Sequence, residues 1–567
     1  MEDSCSRRAA AVCILCAAVC AAAAQGLPGQ TAVFSDRTAD VALDFVHANG
    51  AGGALLLPEV IGAGGALVDY DNDGDLDVFA VQSGALEPAV SQSRLFRNEL
   101  SAGGRLRFTD VTATSRIPPG GYGMGVAAGD VDNDGWVDLY VTGLGASRLL
   151  RNNGDGTFRD VTASSGTADP RWSASATFFD YDQDGWLDLF VVHYVNFRAD
   201  MKRGCFSAGS ARDYCNPAVY DGVADRLLRN NGDGTFADVS VRAGVAAGAA
   251  HGLGVIASDF NGDGWTDLYV ANDGDPNHLW LNDRGRRFTD GALLAGVAVN
   301  RTGQAQGSMG TDVGDVDGDG DDDVFVTNLD NEGNVLYRQV GPGLFEDRTV
   351  EAGLFRLGLT GFGTRFLDYD NDGWLDLIVA NGAVRHISAQ VQRGDAYPLK
   401  QRNQLFRNED GRRFVDVSTG AGAAFAQLRV GRGVATGDLD NDGDVDAVVF
   451  NNSGPAQVLV NEVGARRHWL GVLVIDTGRR RDALHARVTL AGGGGRDQTR
   501  VVRADGSYAS AADTRVLFGL GNRTASQAVS VRWPGGAVEE FRGLGVDRYW
   551  VIEAGKPPRA LPPGAAR

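Results

Sequence analysis

The sequence predicts an all-β chain: a seven-bladed β-propeller closed by an N-terminal strand, followed by a small C-terminal β-sandwich-like domain. A three-part repeat returns seven times along the chain, and one part of it is displaced from the end of the array to its beginning. Beyond residue 466, short apolar runs alternate with Gly-rich turns, the pattern of further strands. At 567 residues the chain exceeds one ordinary core, so several domains or one large repeat array are expected.

The first part of the repeat is D-x-D-x-D-G-x-x-D. It occurs at Asp69, Asp71, Asp73 and Asp77, at Asp130, Asp132, Asp134 and Asp138, and at Asp180, Asp182, Asp184 and Asp188. It continues at Asp259, Asn261, Asp263 and Asp267, and at Asp315, Asp317, Asp319 and Asp323. The last copies are Asp368, Asp370, Asp372 and Asp376, then Asp438, Asp440, Asp442 and Asp446. Five residues before each copy sits a small residue: Gly64, Gly125, Ser175, Gly254, Gly310, Gly363 or Gly433. Short apolar stretches flank each loop and predict strands on either side of a tight turn.

The second part is a strand of the form L-F-R-N, as at Leu95–Asn98, and it too occurs seven times. The third part, F-x-D, begins at Phe108, Phe158, Phe236, Phe288, Phe345 and Phe414, which is one copy short. The missing copy is Phe34-Ser35-Asp36, ahead of the first loop. Such an offset suits a ring, because a strand shared between the chain ends removes the last open sheet edges. The propeller is expected to span 31–461, the second domain 466–555, and 556–567 a flexible tail with four prolines.

The aspartate spacing has a chemical reason. Calcium takes six to eight oxygens, and a tight loop can aim side chains from positions 1, 3 and 5 at one ion. Glycine at position 6 permits the turn and position 7 offers its carbonyl, while the last side-chain ligand here falls at position 9. About one structural Ca2+ per blade is expected, each adding up to roughly 1.4 kcal/mol at millimolar calcium. The formal charge of −20 agrees, since seven divalent ions would bring it to −6, and it disfavours nucleic acid as a partner.

The segment 1–24 has the form of a secretory signal: Arg7 and Arg8, an apolar run, then Ala22-Ala23-Ala24. The mature chain is therefore expected to be exported, to periplasm, cell surface or medium, without a transmembrane span. Cys205 and Cys215 are the two cysteines left after cleavage, and in an exported chain they are expected to form a disulfide closing a short loop.

These repeats resemble FG-GAP/VCBS repeats of the integrin α-subunit type, and the C-terminal part resembles the ASPIC/UnbV domain. The latter likeness is carried by His468-Trp469-Leu470, Ala486-Arg487-Val488, Gly506-Ser507-Tyr508, Phe518-Gly519-Leu520-Gly521 and Trp533-Pro534-Gly535-Gly536. The order of the two parts resembles bacterial relatives of cartilage acidic protein. The family pattern usually has glycine where His485 stands and a more polar stretch at Ala511-Ala512. The resemblance implies an exported protein of adhesion or matrix type without an established enzymatic activity, and a protein or glycan on the extracellular side is the expected partner.

With an integrin-like strand order, the calcium loops join first and second strands, and the connections after the second strands lie on the opposite face. Two of these are long, 193–225 with the cysteine pair and 383–403, and long loops on a rigid ring are the expected recognition surface. The rival reading is a propeller enzyme acting on an extracellular polysaccharide, for which His193, His251, His278 and Asp273 are the candidates. No nucleophile–base motif and no pair of histidines at metal-ligand spacing supports it.

Overall fold

The computed structural model describes residues 32–561, apart from 88–90, 146, 199, 202, 208–209, 493–494 and 527. The expected signal segment 1–24 lies outside the described residues. Seven antiparallel sheets of four strands follow one another, each ordered as in the chain except the last. The first sheet runs Gly65–Val68, Asp77–Ala80, Arg94–Asn98 and Phe108–Asp110. In the seventh, Gly431–Gly437, Asp446–Asn451 and Gln457–Asn461 are completed by Phe34–Asp36, with Phe34 opposite Asn461 and Asp36 opposite Leu459. The displaced F-x-D strand thus occupies the expected place.

The first strands of the seven sheets line an axis, each beside the next, with that of the seventh returning to the first. Both faces of these strands are buried, and the chain there is Gly-, Ala- and Val-rich because neighbouring sheets approach closely. The aspartate of each F-x-D ends its strand by accepting the backbone N–H two residues on, as Asp110 does from Thr112 and Asp416 from Ser418. The phenylalanine of the same triplet turns inward and is buried.

The C-terminal domain has two sheets. One joins His468–Asp476 to Arg481–Asp482, Val516–Gly521, Tyr549–Glu553 and Arg559–Leu561; the other joins Gln498–Val501, Arg487–Leu490, Val529–Arg532 and Val538–Phe541. Residues 559–561 fall in the stretch expected to be a flexible tail, yet they pair with Tyr549–Val551. The cores of the two parts merge, with Leu470, Val488 and Phe518 in one cluster with Ala127, Phe178 and Leu187 of the ring.

The segment 503–513 leaves this domain and fills the ring's axis, touching all seven sheets. Ala511 exchanges backbone hydrogen bonds with Gly65 and Leu67, and the Ala509 carbonyl accepts from Val126 N–H. The Asp505 carboxylate accepts from Thr177 Oγ1 and Ala257 N–H, and Arg365 donates to the Asp505 carbonyl. Ser507 O accepts from Thr311 N–H, Ser507 Oγ from Val434 N–H, and Thr436 O from Asp513 N–H. Close approach of this segment or of the neighbouring first strand explains the small residues before the acidic loops, Gly254 among them, where a Cβ would meet the Met309 carbonyl. A Cβ at Gly64 or Gly125 would run into Ala509, one at Gly433 into Ser510, and those at Gly310 and Gly363 into the backbone of the next first strand. Ser175 fits because its hydroxyl accepts the Ala509 N–H.

Candidate metal centres

Every acidic loop joins the first and second strand of its sheet, so all seven open on one face of the ring. Their internal wiring repeats. The position-1 carboxylate accepts the N–H groups of positions 5 and 6, as Asp69 does from Asp73 and Gly74 and Asp438 from Asp442 and Gly443. The fifth loop departs from this: there Asp315 accepts from Gly318. The position-5 carboxylate accepts the N–H of position 7, from Asp73–Asp75 through Asp442–Asp444.

The position-9 aspartate holds both the loop and the third strand. One oxygen of Asp77 accepts from Tyr70 N–H at 3.1 Å and the other from Asn98 N–H at 2.8 Å. Asp138, Asp188, Asp267, Asp323, Asp376 and Asp446 make the same two bonds. The position-3 carboxylates differ: Asp71 Oδ1, Asp132 Oδ1, Asp182 Oδ1 and Asp440 Oδ1 are buried and have no hydrogen-bond partner.

The carboxylates converge. One oxygen each from Asp69, Asp71 and Asp77 lie within 4.8 Å of one another, as do those of Asp130, Asp132 and Asp138, of Asp180, Asp182 and Asp188, and of Asp368, Asp370 and Asp376. In the fifth loop the convergent set is Asp315, Asp317 and Asp319. The fourth loop carries the amide of Asn261, which bonds back to Asp263. Burial raises the seven position-9 aspartates well above the carboxylate range. Burial and neighbouring loop charges lift Asp130, Asp368 and Asp438 to about 7. Buried, convergent, partly orphaned oxygens of this kind fit a hard divalent cation.

Two features of the loops carried no sequence signal of their own. The asparagine ending L-F-R-N donates its side-chain amide to the position-2 carbonyl of the preceding sheet: Asn98 to Leu439, Asn152 to Tyr70, Asn230 to Val131, Asn282 to Tyr181, Asn408 to Val316 and Asn461 to Tyr369. Gln339 substitutes for it in the fifth sheet, reaching Phe260 O. At position 4, Asn72, Asn133, Gln183, Asn371 and Asn441 donate to the position-6 glycine carbonyl of the next loop. Position 4 is glycine in two loops, Gly262 and Gly318. There the C-terminal domain supplies the donor, Arg487 to Gly320 O and Arg496 and Arg500 to Gly373 O.

Of the candidate catalytic groups, His251 and Asp273 are neighbours, the Asp273 N–H donating to the His251 carbonyl and the Tyr194 ring lying against His251, and each candidate has contacts of its own. His193 is buried with Nε2 3.0 Å from Asp169; His251 meets Asp275 at 2.7 Å; Asp273 accepts from Tyr194 Oη at 2.6 Å; His278 packs on Trp280. Cys205 and Cys215 form a disulfide. The aromatics of its loop, Tyr194, Phe197, Tyr214 and Tyr220, turn inward and cover the mouth of the axis, leaving Phe206 exposed at 64%. Among the described residues no helix is long and apolar enough to cross a membrane.

A ring of four-stranded sheets, each with an acidic first loop, defines a β-propeller built of acidic-loop repeats. The chain belongs to the FG-GAP-like repeat family, whose profile matches residues 69–141, 130–191, 218–270, 259–326 and 315–379, and it carries an ASPIC and UnbV domain at 476–559. It is similar to cartilage acidic protein 1 of Homo sapiens, 32% identical over 179 residues, which is 30% of this chain and 26% of that protein. The protein of the same name from Xenopus tropicalis is 32% identical over 169 residues, 28% of this chain and 25% of that one. The chain thus spans about a quarter of the length of the curated relatives it matches. Among solved structures it is similar to YCF48 bound to D1 peptide, at 7% identity over 77% of this chain and 100% of that one, with a TM-score of 0.41. An Agrocybe aegerita lectin that recognises non-reducing terminal N-acetylglucosamine is 19% identical over 62% of this chain and 78% of that one, with a TM-score of 0.31.

Proposed function

We propose that this protein is an exported, non-catalytic interaction scaffold whose ring is rigidified by calcium in the seven acidic loops. The observation that carries the reading is the set of buried position-3 oxygens without a partner, at the same place in the first, second, third and seventh loops. A buried carboxylate oxygen left unsatisfied is costly, and a cation shared with positions 1, 5 and 9 satisfies it. The ions act structurally, since a catalytic metal needs an open coordination position.

The filled axis supports a binding role over an enzymatic one, because 503–513 occupies the channel that a propeller enzyme would use. The disulfide supports an oxidising compartment. The acidic face is covered by the C-terminal domain, through Arg487, Arg496, Arg500 and Arg515. That coverage favours the opposite face, on the outer surface of the loops around 193–225 and 383–403, as the one that meets a protein or glycan partner.

Calorimetric titration of chelator-stripped protein, followed by its melting temperature, tests the reading. Five to seven bound calcium ions with a large rise in Tm are expected. Absence of both heat and shift would leave the loops as turns and remove the calcium scaffold.

A further inference from the structure

Between the acidic face of the first three sheets and the C-terminal domain lies a cavity of about 440 Å³, within the size of small-molecule sites. Its floor is aliphatic: Leu67, Leu76, Leu187 and Leu484 line it, each at most 8% exposed. Arg481 lines it as well and is 7% exposed. That guanidinium has one hydrogen bond, a long one of 3.4 Å from Nη2 to Gly185 O, and its Nε is buried with no partner. Arg480 and Lys556 lie on the same wall.

The carboxylates around the cavity are already engaged. Glu553 pairs with Lys556 at 2.6 Å, Asp513 with Arg515 at 2.7 Å, and Asp482 accepts from Thr514 Oγ1 at 2.6 Å. Asp130 and Asp180 are turned onto the amides of their own loops. Asp180, Asp130 and Asp476 act on Arg481 only through space, and a buried guanidinium with one long hydrogen bond is unfavourable, while Arg is the side chain suited to hold a carboxylate in two-pronged fashion. Apolar walls with one underused buried cation are the two halves of an amphiphile site.

We propose that this inter-domain cavity binds an aliphatic carboxylate, its head on Arg481 and its chain along the leucine floor. The site lies apart from the partner face and is independent of any activity there. Decanoate is the probe, titrated by calorimetry into the full mature chain with calcium held constant, with decyltrimethylammonium as the control of equal tail and opposite charge. One decanoate per chain is expected, weakened roughly 10- to 100-fold by Arg481→Met, as for loss of a charge-assisted hydrogen bond. Ala128→Met, which fills the floor, secures the test if Arg481→Met fails to fold, and it should weaken decanoate while leaving Tm within a few degrees. No saturable decanoate heat at millimolar concentration, equal binding of the cationic control, or full affinity in both folded variants would overturn the proposal.

Discussion

Asn98 Nδ2 donates to the carbonyl of Leu439 at 2.9 Å, joining residues 341 positions apart across the point where the ring closes. The same amide also reaches Leu76 O in its own sheet. Because the bond recurs at the other seams, this asparagine is a staple between sheets as well as the end of a strand. In the fourth sheet Asn282 links Tyr181 O and Thr266 O at 2.9 and 3.0 Å. Asn282→Leu strands two carbonyls and is expected to destabilise the ring by roughly 1–3 kcal/mol. The urea midpoint measures it, against exposed Asn153→Ala as a neutral control; equal midpoints would show the staple to be incidental.

The two seams without a position-4 amide side chain, at Gly262 and Gly318, are bridged by the C-terminal domain. Arg487→Met should loosen the seam between fourth and fifth sheets, lowering Tm by several degrees. Gly262→Asn should restore part of the loss, since a Cβ there meets nothing within 4 Å and its φ of +72° is close to that Asn72 adopts at +55°. Rescue would appear as a coupling of 0.5 kcal/mol or more in the double-mutant cycle. Strict additivity would mean that Arg487 stabilises through its ion pair with Asp322 alone.

Calcium binding should depend on pH near neutrality. Burial, with the charges of neighbouring loop aspartates, raises Asp130, Asp368 and Asp438 to about 7, so part of the population is protonated there without an ion. The cation must displace those protons, so affinity rises with pH from 6 to 8 and protons are released on binding. Titrations in buffers of different ionisation enthalpy measure the release; a pH-independent affinity would contradict it.

His47 gives a separate handle on stability. Burial, with the charge of Arg432 adding to it, lowers its pKa to about 3, and its ring bridges Ser83 Oγ and Ser453 N–H. The unfolded chain protonates near 6.5 and the folded chain does not, so stability is full above 6.5 and falls as pH drops toward 3. His47→Gln should reduce the slope in that window by up to about 1.4 kcal/mol per pH unit, measured with calcium saturating. An unchanged slope would assign the acid sensitivity to His193, His278 and His485, whose pKa values burial lowers in the same way.

Legibility followed the range of each interaction. The acidic loops, the strands beside them and the closing strand Phe34–Asp36 were evident because their determinants lie within a dozen residues and repeat. Position 9 was legible as a carboxylate, whereas its part in holding Asn98 N–H was not, since that bond crosses to another strand. The length of 193–225 suggested a recognition loop, but length does not say which way a loop's side chains face, and Phe197, Tyr214 and Tyr220 turn inward to cover the axis. Arg432 carried no signal at all. It is fully buried over the Phe362 ring and donates to Val60, Gly382, Gly431 and Ala383 carbonyls, a set of acceptors that only the fold assembles. His485 stands where the family has glycine, and its φ of +68° shows why glycine is favoured there.

The small residues before the acidic loops pose the sharpest test of the axial segment. From sequence they were punctuation ahead of a strand; in the structure Gly64 faces Ala509, which lies 445 positions further on. Gly64→Val would drive a branched side chain into the Ala509 carbonyl, whose neighbours are held by hydrogen bonds to several sheets and cannot retreat. Overpacking of this sort costs about 1–3 kcal/mol, and more where backbone must shift. If 503–513 occupies the axis in solution, Gly64→Val lowers the urea midpoint in the full chain, and amides of 505–511 lose hydrogen-exchange protection together with those of Gly65 and Leu67. If the midpoint and the protection of 505–511 are both unchanged, the segment does not fill the axis, and the small residues must be explained by packing between neighbouring first strands alone.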